Sequence, residues 1–170
     1  MRTLWLILSA ATLFIFVGLG LIFLSTPSED KVTVYFYRYD KLYPVKRSLN
    51  SIKAPEEVAA LGALFRGPTT EEKSNRMQTM VPPNLRPTGI EREENSVLLL
   101  VFDDDLLKIS GGSNVINGAL KQIVFTATEI NGIKAVRFQV NSQGSETPVI
   151  GGEGYTIDRP LDRAYFKGVN

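Results

Sequence analysis

The sequence predicts an α+β fold: a small mixed sheet with two helices, in the rough order ββαββαβ, behind an N-terminal transmembrane helix. Three observations carry this. Residues 32–39 alternate with the period of a strand. Residues 114–130 repeat apolar positions at helical spacing and run directly into a second alternating segment. Leu4 to Leu24 is an uncharged run of 21 positions, and the remainder of the 170-residue chain has ordinary globular composition.

The apolar run comes first. At roughly 1.5 Å per residue it spans about 31 Å, close to the hydrocarbon thickness of a bilayer. Fourteen of its residues are Leu, Ile, Val or Phe, contributing on the order of −6 kcal/mol on an insertion scale. Arg2 precedes the run and Glu29-Asp30 follow it. The positive-inside bias therefore predicts a single-pass protein of the cytoplasmic membrane, N-terminus in and C-terminal domain extracytoplasmic. The competing reading, a cleaved signal peptide, expects a shorter apolar core and an A-x-A site, which Ile22-Phe23-Leu24-Ser25-Thr26 does not supply. The expected division is residues 1–25 as signal anchor, 26–31 as a short linker, and 32–166 as one domain.

Within that domain, Val32, Val34 and Phe36 share one strand face, with Thr33, Tyr35, Tyr37 and Tyr39 on the other. Asp40-Lys41 turns the chain into a second strand around 43–49, where Pro44 marks an edge. Pro55-Glu56-Glu57 opens a helix whose inner side is Val58, Leu61, Gly62 and Phe65, and Gly67-Pro68 stops it. Residues 69–80 are polar, with room for one further helical turn. A hairpin follows: 87–93 and 97–103 across Glu94-Asn95-Ser96, the apolar Val97–Phe102 run suiting a central strand covered on both faces. Gly111-Gly112 leads into the helix 114–130, capped by Ser113 or Asn114, with Ile116, Leu120, Ile123, Ala127 and Ile130 inside. Asn131-Gly132 ends it before a last strand, 133–141. A glycine- and proline-rich tail closes on Tyr165-Phe166.

Composition removes whole classes of chemistry. With no cysteine and no histidine, triads, thiolate dyads and His- or Cys-ligated zinc have no residues to build them. From Lys31 onward 18 basic side chains face 16 acidic ones without a block of either sign, so nucleic acid is not an expected partner. No catalytic, cofactor-binding or metal-ligating residues are assigned, and the reading is of a non-enzyme.

In order, the segments Val34-Tyr35-Phe36, Ala63-Leu64-Phe65-Arg66-Gly67-Pro68-Thr69, Val81-Pro82-Pro83, Val101-Phe102-Asp103, Gln122–Glu129 and Val136-Arg137-Phe138 resemble the GerMN domain family of sporulation and spore-germination proteins. The resemblance covers residues 32 to about 166. It implies a shape similar to ring-building modules and action through protein contacts: docking of other envelope proteins, or self-association. This chain carries one copy, and it lacks the lipid-attachment cysteine of better-known members.

Four side chains are candidate partner contacts: Tyr35, Tyr37 and Tyr39 on the first strand, and Phe125; Tyr43 is a further candidate for the tyrosine face. Tyrosine offers large contact area with a polar tip, although a half-covered sheet face displays it equally well. Phe125 falls about 180° from Ile116 at roughly 100° per residue, on the polar side of its helix. Either the tail folds over it, which is expected, or it anchors a partner. Two rival functions follow from other residues. The tyrosines suit a stacking platform for a small ligand or wall polymer, and Asp103 with Asp105 offers paired carboxylates to a hydrolase. Adjacent acids at a strand end point apart, however, so Asp105 is better explained as a solvated loop acid or helix cap. Gly111-Gly112-Ser113 before a helix hints at anion binding but lacks the P-loop lysine.

Overall fold

A computed structural model describes residues 31–48, 54–141, 148–151 and 154–167. The expected anchor, residues 4–24, lies outside them. Among the described residues no helix is long and apolar enough to cross a membrane.

The chain begins with β1 (Lys31–Arg38) and β2 (Lys41–Ser48), followed by helix α1 (Glu56–Phe65), a short α2 (Thr70–Ser74) and the two-residue β3 (Met77–Gln78). Then come β4 (Pro87–Glu93), β5 (Val97–Phe102), α3 (Gly112–Ala127) and β6 (Ala135–Val140), and finally β7 (Val149–Ile150) and β8 (Tyr155–Thr156). The fold class is α+β, as expected, with one correction. In place of a single sheet there are two three-stranded sheets, β2-β1-β3 and β4-β5-β6, and a β7-β8 ribbon. The second sheet is the mixed one, with β4 antiparallel and β6 parallel to β5.

The reason for the split lies on the free edge of β1. β3 pairs with it only at Tyr37–Gln78 and Arg38–Met77. Side chains of α3 occupy the edge further back: the Tyr35 N–H donates to Thr126 Oγ1 at 3.1 Å, and Gln122 Nε2 donates to the Tyr35 carbonyl at 3.0 Å. A helix that satisfies a strand edge leaves no room there for another strand.

Both sheets and two helices share one core. Val34, Phe36, Leu98, Leu100 and Phe102 meet Leu61 and Leu64 of α1 and Leu120 and Ile123 of α3, all fully buried. Phe102 stacks on Phe138 at 6.2 Å and meets Phe65 edge-on at 6.2 Å. The five apolar positions expected inside the long helix region are buried. Three local readings change. Val58 is 43% exposed, while Leu61 and Phe65 are buried as expected and α1 turns Ala60 and Leu64 inward with them. Leu99 and Val101 of β5 are half-buried, so one face of that strand is only partly covered. Finally, α3 starts at Gly112 without a side-chain cap. Gly111 and Gly112 adopt φ of 120° and 74°, backbone that side chains rarely reach, so the chain enters the helix ahead of Ser113 and Asn114.

Candidate functional site

β1 ends at Arg38, and Tyr39-Asp40 turns the chain into β2. Tyr39 has φ 59°, at a turn position that ordinarily takes glycine or asparagine. Its ring is 66% exposed, the largest value for a bulky apolar residue among the described ones. The residue that holds it there comes from a different element. Arg76, after α2, also has positive φ, 62°. Its guanidinium donates to the Tyr39 hydroxyl and lies 5.7 Å from the ring centroid. Alongside, Arg38 lies 4.3 Å from the Tyr43 ring. Two bulky residues held in the left-handed region each cost about 1–3 kcal/mol of local strain, and here they meet at the surface. The arrangement is a preformed tyrosine–arginine patch.

The other tyrosines are less exposed than Tyr39. Tyr43 opposes Phe36 in the antiparallel register, which puts it on the face away from Tyr35. Tyr37 is 6% exposed, its hydroxyl pKa raised by burial. Tyr35 is half-buried and its hydroxyl donates to Glu129 at 2.8 Å. Desolvation, then that hydrogen bond, raises its pKa despite the nearby Arg163.

Phe125 is half-buried as well. Tyr35 meets it edge-on at 5.5 Å and Phe166 of the tail at 6.3 Å. Arg163 crosses the top, 4.8 Å from the Phe125 centroid and 5.4 Å from that of Tyr35. It donates to the Phe125 carbonyl at 2.9 Å, to Thr128 Oγ1 at 2.7 Å and to Glu129. The tail thus covers Phe125, and the cationic clasp makes it a packing residue more than a free anchor.

Asp103, Asp104 and Asp105 are all exposed in the turn after β5. Asp105 pairs with Lys108 at 3.0 Å, while Asn141 Nδ2 approaches Asp103 Oδ1 at 3.4 Å. These carboxylates serve local turns and do not converge across a cleft. Sequence reasoning missed Arg76 and Arg163. Neither has a local signature, because each works on an aromatic ring distant in the chain.

Residues 33–146 match the Germane family, described as "Sporulation and spore germination". The fold is similar to the tandem GerMN domains of the sporulation protein GerM from Bacillus subtilis, with a TM-score of 0.60 and 23% identity, over 78% of this chain and 45% of that one. The first GerMN domain of that protein matches with a TM-score of 0.55 and 18% identity, over 79% of this chain and 98% of that one. The chain therefore spans less than half of the tandem structure. No curated protein matches.

Proposed function

The chain belongs to the Germane family of sporulation and spore germination, with a GerMN-type domain, and from that premise we propose that it is a non-enzymatic docking module of the cell envelope. In this reading residues 4–24 anchor it in the cytoplasmic membrane and the domain acts on the outer side, contacting another envelope protein through Tyr39, Arg76, Arg38 and Tyr43. The supporting observation is the exposed Tyr39 ring fixed by Arg76, with both residues in backbone that bulky side chains avoid. Tyrosine and arginine dominate the energetics of protein interfaces, above all when they are held rigid before the partner arrives.

A substitution separates display from architecture. Glycine suits the φ of 59° better than tyrosine does. Tyr39→Gly should therefore leave thermal stability unchanged or slightly raised while removing the contact ring. Co-purification of envelope partners with the tagged full chain should fall sharply for Tyr39→Gly and for Arg76→Ala. Full retention of the partners by both variants would contradict the docking surface; so would a lower melting temperature with Tyr39→Gly.

A further inference from the structure

A cleft of about 400 Å³ opens between the β1–β2 turn, Met80 and the first half of α3, separate from the Tyr39–Arg76 pair. We propose that this cleft binds a short neutral saccharide, with the Tyr37 hydroxyl as its innermost hydrogen-bonding group.

The cleft gathers polar side chains that have no hydrogen-bond partner among the described residues. Tyr37 is 6% exposed, yet among the described residues its hydroxyl has no hydrogen-bond partner. Among the described residues every fully enclosed side-chain polar atom has a partner. The Tyr37 oxygen must therefore be reached by solvent, and Tyr37 lines this cleft. Asp40 and Lys121 border the same cleft, and among the described residues neither has a hydrogen-bond or ion-pair partner. The Lys121 ammonium only faces the Phe125 ring, at 6.0 Å. Asn117, a further wall, has its Oδ1 engaged by the Tyr155 hydroxyl at 2.7 Å, which leaves its amide N–H groups as donors.

Their chemistry selects the ligand class. One carboxylate and one ammonium cancel, so neither a polyanion nor a cation is favoured. The set mixes a pure acceptor (Asp40), pure donors (Lys121 and the Asn117 amide) and a hydroxyl that does both. A ligand hydroxyl also donates and accepts, so a polyol satisfies every member of such a set. Met80 and Gly118 supply the apolar floor. A Cβ on Gly118 would fall 1.9 Å from Met80 Sδ, so the absence of a side chain there is what lets the thioether lie against the helix. That strip suits the C–H face of a sugar ring. The volume lies within the roughly 300–1,000 Å³ typical of small-molecule sites.

The test uses the full chain in a detergent without a sugar headgroup, titrated calorimetrically with cellotetraose and with triacetylchitotriose. At least one should bind saturably. Tyr37→Phe should weaken it about tenfold, the worth of one good hydrogen bond, with the melting temperature unchanged or raised. A structural hydroxyl would behave oppositely. Asp40→Ala, in an exposed turn, should also weaken binding without affecting the fold. The proposal is overturned if neither saccharide saturates at millimolar concentration or if Tyr37→Phe leaves affinity intact. It is equally overturned if Tyr37→Phe lowers the melting temperature, or if the zwitterion alanyl-alanine binds more tightly than both sugars.

Discussion

Gln122 and Thr126 are the fully buried polar side chains among the described residues, and both serve the backbone of β1. Gln122 does more: its Oε1 accepts from the Met80 N–H at 2.6 Å and from Thr79 Oγ1 at 3.3 Å. One amide thus joins α3, β1 and the segment after β3. Gln122→Leu would fill the same space and leave a buried carbonyl and N–H without partners, at a cost of about 2–4 kcal/mol. Leu120→Ala and Ile123→Ala should each cost about 2–5 kcal/mol, since both residues are fully buried. Urea denaturation measures all three, and a Gln122→Leu loss below about 1 kcal/mol would show that water replaces the amide. These two polar residues also explain what periodicity hid. With Gln122 and Thr126 counted as surface, Phe125 falls on a polar side. In the fold that side is an inner one, between β1 and the tail. The i, i+4 spacing of the two polar residues was visible in the sequence, but the strand edge they satisfy is 87 and 91 residues away.

At the scale of elements, Arg47 of β2 ties three pieces together. It donates to the Ala63 carbonyl at 2.7 Å and the Gly67 carbonyl at 3.0 Å, the end of α1, and pairs with Glu72 of α2. Glu72 also closes a capping box with Thr69. Both charged side chains are about 15% exposed. Burial alone would raise the Glu72 pKa, but Arg47 and the Thr69 N–H outweigh it and hold the carboxyl below its ordinary value. Glu57 is lowered chiefly by its hydrogen bond from Arg92. A depressed carboxyl pKa gives stability that is present above the unfolded value, about 4.3, and lost as pH falls through the folded one. The melting temperature should therefore drop as pH falls below about 4.5, and less steeply in Glu72→Gln. An equal slope in that variant would remove Glu72 from the account. Arg47→Ala should cost about 3 kcal/mol by stranding Glu72 and two carbonyls. Elements with a strong period were legible: the β4–β5 hairpin turns at Glu94–Ser96 as expected, and β6 is the next element after the long helix, with seven residues between them. β3 was not, because two residues carry no period, and with it the division into two sheets was hidden.

For the whole molecule, the described domain packs as one unit from Lys31 onward. Its family and α+β architecture were legible in ordered short motifs, because those motifs are strand and helix boundaries set by local chemistry. The placement of the candidate contacts was not, because tail residues 161–166 decide which tyrosine and phenylalanine faces are covered. Leu161 bridges to Val136 at the edge of β6, and Phe166 reaches Phe125. Deleting residues 150–170 should uncover Phe125 and lower the melting temperature; an unchanged value would mean that the tail adds no packing energy. The central claim is that a membrane-held domain docks a partner through the Tyr39–Arg76 patch. The most direct measurement is photo-crosslinking in intact cells from position 39, with exposed Val58 as the control position. The account predicts one discrete protein adduct at 39, found in the membrane fraction, lost in Arg76→Ala and absent from position 58. No adduct at 39, or the same adduct from both positions, would contradict it.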